Sequence, residues 1–351
     1  MGFQPDYHNI ADAAVNKKPA RIPLYEHIIS DEVIEKVIRE DVTGLLAKGT
    51  AGKRDYFKRY TRFFREMGYD TVSFEQCITK ILPGGGALYS HADPVIKTKE
   101  DIESYPWGGL PDLYFNEFDG DFSMLAEEMP EGMRAIGGPG NGLFEIAQDL
   151  CGYELLCYMA ADDPGLYREV FSRVAGLMLE IWRRFLDKHA DTYCVCRFGD
   201  DLGFRSQTLL PAADIREILI PHYQRLVAQV HEYGKPFLLH SCGAIFDVMD
   251  ELIGVAGINA KHSNEDAIAP FSTWVGRYGS KIGNFGGIDT DVLCSRTVAE
   301  IEKYVTAVFE ENAAKDGGIA FGSGNSIPDY VPVEGYVAMV NTVRNLRRER
   351  V

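Results

Sequence analysis

Short apolar runs recur along the chain, each bounded by glycine, proline or polar residues. They lie near residues 22, 71, 134, 193, 237, 257, 282 and 319. Phe237-Leu238-Leu239, between a Gly-Lys-Pro turn and His240-Ser241-Cys242-Gly243, is the clearest of them. Runs this short, rich in β-branched and aromatic residues and flanked by turn signals, predict buried strands. The segments between them carry helical spacing. Ser30-Asp31-Glu32 is a helix start with acids in the first turn, followed by Val33, Ile34, Val37 and Ile38. Tyr56, Phe57, Tyr60, Phe63 and Phe64 form an aromatic stripe that stops at Gly68, a pattern that signifies core packing. Asp163-Pro164 opens a long amphipathic helix, and a single helix is expected from about Leu143 to Ala160. Residues 1–20 read as an arm or a first helix outside the main domain. Residues 83–132, rich in Gly, Pro, Tyr and Trp, break the rhythm and read as a functional loop or a set of small elements.

Strict alternation of strand and helix implies a parallel sheet. Eight such units in 351 residues predict an α/β fold, a closed (β/α)8 TIM barrel. The chain 1–351 is then a single domain with its core at about 20–347, an N-terminal arm and a long insertion after the second strand. A doubly wound open sheet is the alternative. It advertises Gly-x-Gly-x-x-Gly after its first strand, and residues 26–30 carry none.

In a barrel the chemistry sits at the C-terminal ends of the strands. Polar groups recur there: Glu26 and His27, Glu75, Asn141, Asp200 and Asp201, His240 and Cys242, His262 and Glu265, Asp289, Ser323 and Asn325. Residues i and i+2 of extended backbone face the same side, so His240 and Cys242 project together as nitrogen and sulfur ligands suited to zinc. An isolated His-x-Cys is more often a core histidine beside a buried thiol. The convergence of polar strand ends shifts the balance toward a metal. A third ligand is left open among Glu26, Glu75, Asp200, Asp201 and His262. Asp200, Asp201 and Glu265 are candidate catalytic carboxylates, each with an ordinary alternative as a helix cap or a partner of an arginine. Glu26, Glu75, Asn141, His262 and Asn325 are candidate substrate contacts.

The net charge of -16 argues against nucleic acid and anionic membrane surfaces as partners. Seven cysteines, an odd number with no secretory signal ahead of them, fit free thiols in a reducing cytoplasm. No long uninterrupted apolar window predicts a membrane span. Oligomeric state is left open, with a homodimer among the options.

Five motifs occur in order. They are Gly137-Gly138-Pro139-Gly140 followed by Phe144-Glu145, Asp200-Asp201-x-Gly203, His240-Ser241-Cys242-Gly243, Gly283-Asn284-x-Gly286-Gly287-Ile288-Asp289 and Gly322-x-Gly324-Asn325-x-Ile327-Pro328-x-x-x-Pro332. Together they resemble the uroporphyrinogen decarboxylase superfamily over roughly residues 20–347. The resemblance implies a (β/α)8 barrel and offers two branches. True decarboxylases carry arginines after the first strand to grip substrate carboxylates, and a His in the last loop. Here Leu24–Ser30 has no arginine, Glu26 is acidic, and Asn325 stands in the last loop. The cobamide-dependent methyltransferases use a His-x-Cys pair, matched by His240 and Cys242, to hold zinc. Members acting on coenzyme M add a last-loop Cys, where this chain has Asn325. This branch implies zinc, a corrinoid (cobamide) protein partner, and a small-molecule methyl donor or acceptor, methoxylated aromatics among them. The alternatives are a decarboxylase-type lyase of tetrapyrrole biosynthesis and a non-catalytic tetrapyrrole-binding barrel.

Overall fold

The computed structural model describes residues 3–89 and 92–347. Seven of the eight apolar runs form strands: β1 (Thr71–Cys77), β2 (Arg134–Gly140), β3 (Tyr193–Gly199), β4 (Phe237–His240), β5 (Ala260–His262), β6 (Gly283–Ile288) and β7 (Ile319–Ser323). All are parallel and lie in chain order in one sheet. The run near residue 22 is not a full strand. It makes isolated parallel bridges, Leu24 to Phe321 and Ile29 to Ile327; at the first, Tyr25 N donates to Phe321 O (2.8 Å) and Phe321 N to Pro23 O (2.9 Å). Pro23 has no N–H to extend the ladder. Gly322 permits this close approach, since a Cβ there would lie 1.6 Å from Tyr25 O. The sheet is therefore a curled, TIM-like array of seven strands carrying one short stave on its β7 edge. Toward β1 the stave is tied by a side chain, Ser73 Oγ donating to His27 O at 2.6 Å.

Glu26 pins the stave to β7. It accepts from Ser323 N (3.1 Å) and contacts Ser323 Oγ. That hydroxyl has one proton, and also lies 2.5 Å from Asn325 O, which can only accept. A protonated Glu26, donating to Ser323 Oγ while Ser323 donates onward, satisfies both contacts. Burial pushes the Glu26 carboxyl up to about 8, against the opposing hydrogen bonds from Ser323 and Tyr69.

Inside the sheet, Tyr25, Ile136, Val195, Leu238, Ala260, Phe285 and Ala320 share one buried cluster. They belong to it together with Ile10, Ala13 and Ala14 of the helix His8–Ala14. The N-terminal segment is thus a plug under the strand N-termini, contacting β3, β6 and β7, and not an arm outside the domain. The outer layer packs on the opposite face. Fully buried Trp182, on the helix Pro164–His189, meets Phe185, Phe198 and Phe237. Most of the expected insertion is regular. Leu110–Glu127 is the crossover helix from β1 to β2 and packs on Gly49–Met67 and Pro164–His189. The expected helix 143–160 is two helices, Leu143–Cys151 and Tyr153–Asp162, parted at Gly152 with φ 72°. Among the described residues no helix is long and apolar enough to cross a membrane.

A carboxyl with a raised folded-state pKa contributes stability at low pH that is lost as pH rises through that value. Wild-type stability is therefore expected to fall as pH rises from about 4.5 toward about 8. Glu26→Gln keeps a neutral donor and is expected to exceed wild type at pH 9 by on the order of 2 kcal/mol in urea unfolding. An unchanged difference between pH 5 and pH 9 would contradict the protonated pin.

Candidate metal centre

His240 ends β4, and extended backbone carries Cys242 to the same side. Cys242 Sγ lies 3.5 Å from His240 Nε2. Asp201, just beyond β3, accepts from Cys242 N at 2.9 Å and stands 3.7 Å from His240 Nε2. Ligand atoms of Asp201, His240 and Cys242 all fall within 4.8 Å of one another, as do those of His27, His240 and His262.

Hydrogen bonding decides between the two sets. His262 Nε2 lies 2.9 Å from Ser323 O, an acceptor only, so Nε2 carries the proton. Burial lowers the His262 pKa to about 3, so the ring is neutral and its Nδ1 is an acceptor. His240 Nδ1, 2.7 Å away, must then donate to it. Burial first, then His262, Arg197 and Lys261, keep His240 well below the usual histidine range and neutral. Its lone pair is consequently on Nε2, facing Cys242 and Asp201. The three-histidine set is the poorer cage. Its two Nδ1 atoms are spent on each other, and His27 stacks on His240 at 3.8 Å with planes 6° apart. An ion binds in the plane of an imidazole, and parallel offset planes share no such point.

Cys242 Sγ also receives Asn325 Nδ2 at 3.4 Å and shares the single Ser263 hydroxyl proton, 3.5 Å away, with Ser241 O at 3.4 Å. These donors favour a thiolate. Burial, then the Asp201 carboxylate, push the thiol up. Asn325 thus stands at the sulfur as a hydrogen-bond donor. His262 stands behind His240, with both nitrogens engaged.

The remaining expected residues brace the site or border it. Asp200 accepts from Phe144 N (3.0 Å) and Glu145 N (2.9 Å) at the start of the helix Leu143–Cys151, and from the Tyr223 hydroxyl. Its carboxyl is raised to about 6 by burial, with those hydrogen bonds opposing. Glu75 holds Arg197 through two hydrogen bonds, 3.1 and 2.7 Å, and Arg197 reaches on to Tyr25 (3.0 Å) and Ser73 (2.7 Å). Asn141 accepts from Thr79 Oγ1 and donates to Glu145 Oε2, each at 2.8 Å. Glu265 lies outside the donor set, in an adjoining hollow of about 280 Å³ that Arg205, Asp289 and Asn325 also line. Burial, then Asp289, raises its carboxyl.

Two residues of the site carried no assigned role in the sequence. His27 was visible at a strand end, but nothing linear joins it to His240. Glu145 sits one turn into a helix, where burial and Asp200 raise its carboxyl well above the usual range. A Cβ on Gly199 would stand 3.4 Å from His240 Cδ2, 3.7 Å from His27 Nε2 and 3.8 Å from Glu145 Oε1. Gly199 therefore faces the gap that these three functional groups border.

A TIM-like α/β fold with a His-Cys-carboxylate set at its strand C-termini has the layout of an enzyme of the barrel class. The uroporphyrinogen decarboxylase (URO-D) family model matches residues 92–346, and the chain belongs to that family. Comparison with curated proteins finds no match. Among solved structures, a methyltransferase from Methanosarcina mazei superposes with a TM-score of 0.71 at 13% identity, over 96% of this chain and 98% of that one. A protein described as a vitamin-B12 independent methionine synthase, from Listeria monocytogenes, gives 0.50 at 13% identity, over 93% and 98%. At these identities the likeness is one of fold.

The relay predicts that nitrogen-15 NMR shows His240 as the Nδ1–H tautomer and His262 as the Nε2–H tautomer. Both should stay neutral from pH 8 to pH 6. His262→Ala should let His240 populate both tautomers. A wild-type His240 protonated on Nε2 would refute the assignment.

Proposed function

We propose that this protein is a zinc-dependent methyltransferase that moves a methyl group between a small molecule and a corrinoid protein in a reducing, cytoplasmic setting. The observation that carries the reading is the convergence of His240 Nε2, Cys242 Sγ and Asp201 Oδ1, with the histidine lone pair fixed toward the other two. Catalytic zinc takes three protein ligands of these types and keeps a fourth position open. Asp201 would then supply the ligand for which the last loop offers only Asn325. A zinc ion so held would supply Lewis acidity toward a thiolate or a departing heteroatom.

The chain's own residues do the rest. His262 and Ser323 hold the His240 tautomer. Cys242 N orients the Asp201 carboxylate. Asn325 and Ser263 place two donors on Sγ and stabilise negative charge there. A polycarboxylate decarboxylase is the less supported reading. The stave Leu24–Ser30 has no arginine. Arg197, the buried guanidinium of the interior, is occupied by Glu75, Tyr25 and Ser73.

Protein purified from zinc-replete medium is expected to retain about one zinc per chain. His240→Ala, Cys242→Ala and Asp201→Ala should each weaken zinc binding by more than about a hundredfold, since even supporting residues of metal sites are worth 10–100-fold. His262→Ala should weaken it within that 10–100-fold range. Methyl transfer to or from a reduced corrinoid, followed by the cobalt absorption bands, should fall with zinc occupancy. Zinc-free wild type, or transfer indifferent to Cys242→Ala, would defeat the reading.

A further inference from the structure

A methyltransferase needs a chamber for its small substrate, and the following inference rests on that reading of the site. A cavity of about 350 Å³ lies between the C-terminal half of the stave, with Asp31 beyond it, and β1. Four aromatic residues line it: Tyr56, Phe57 and Tyr60 from the helix Gly49–Met67, and Phe74 from β1. His27 also lines it and stacks on His240 at 3.8 Å, so a single ring stands between the chamber and the donor set.

Its charges are unequally available. Arg197 is spent on Glu75 at 2.7 Å, and Asp121 on Lys53 at 2.9 Å. Lys80 is exposed and donates to Gln76 at 3.0 Å. Asp31 is different. Its carboxylate is held by the neutral Tyr56 hydroxyl at 2.9 Å and not by a cation. His27, 5% exposed, has an Nδ1 with no hydrogen-bond partner among the described residues. The chamber thus offers aromatic rings, one carboxylate hydrogen-bonded by a neutral hydroxyl with Lys80 acting on it at longer range, and a buried ring nitrogen with no partner among the described residues. Among the described lining residues the cation outside an ion pair is Lys80, which is exposed and bonded to Gln76. Aromatic rings beside a carboxylate are the setting in which quaternary and tertiary ammonium groups bind.

We propose that this chamber binds a small methylated ammonium cation, the methyl donor of the reaction. The electron balance is simple. The electron pair of a reduced corrinoid forms the new carbon–cobalt bond, and the carbon–nitrogen pair stays on nitrogen. A cationic donor therefore leaves as a neutral amine, and a quaternary one releases no proton.

Calorimetry on the full chain tests this with choline, its uncharged carbon isostere 3,3-dimethylbutan-1-ol, and 4-methoxybenzoate. Choline is expected to bind at least about tenfold more tightly than the isostere, and the anion not at all. Asp31→Asn and Tyr56→Leu should each weaken choline about tenfold, whereas Tyr56→Phe, which keeps the ring, should not. Circular dichroism confirms that each variant is folded. Equal binding of the isostere, or tighter binding of the anion, overturns the proposal. A parallel assay of methyl transfer to reduced cobalamin separates the two readings. Transfer from a methoxyarene but not from choline, tetramethylammonium or trimethylammonium sinks the ammonium donor and leaves the methyltransferase standing. Choline binding that survives without transfer from any donor sinks the methyltransferase and leaves the ligand class standing.

Discussion

The hydrogen bond between His240 Nδ1 and His262 Nδ1 is the constraint on which the site depends. Two neutral imidazoles joined through like nitrogens have two possible proton placements. The Ser323 carbonyl removes one of them by accepting from the far side of His262. Everything downstream inherits that choice: the lone pair on His240 Nε2, its direction toward Cys242, and the preference for the Asp201 set over the three-histidine set. The cost is moderate because every buried nitrogen in the relay has a partner, and it is unpaired polar groups that are expensive to bury. His27 is the exception, and it faces a chamber.

The relay in turn rests on how β4, β5 and β7 are brought together. His240 and His262 are register partners on adjacent strands, so their side chains share a face. Ser323, at the end of β7, is gripped by Glu26 from the stave. The same serine positions the Asn325 backbone, whose side chain ends at the Cys242 sulfur. The join between stave and β7 and the sulfur of the site are therefore coupled through one residue.

Much of this was legible in the chain. Seven apolar runs became strands because each is short and bounded by turn residues, which leaves extended backbone as the way to bury it. The i, i+2 spacing of His240 and Cys242 was enough to place both on one side. Asp201 could not be singled out from the carboxylates at other strand ends, because its choice depends on a backbone amide 41 residues away. The stave was overcounted as a strand because Pro23 limits pairing in a way that apolar pattern does not reveal. The N-terminal helix was misplaced for a related reason. Ile10, Ala13 and Ala14 are few and small, so their pattern is weak, yet the backbone at Ala13 fits closely against Gly283 and Gly318 at the starts of β6 and β7. Asp200 and Glu75 look alike as strand-end acids in the sequence. Only three-dimensional partners show that one caps a helix and the other neutralises Arg197.

The helix His8–Ala14 gives the sheet a floor. With that end filled by packed side chains, the interior is a vessel with one rim. Water displaced by an arriving molecule must leave on the side from which that molecule came. A large domain settling over that rim would cover whatever had already entered.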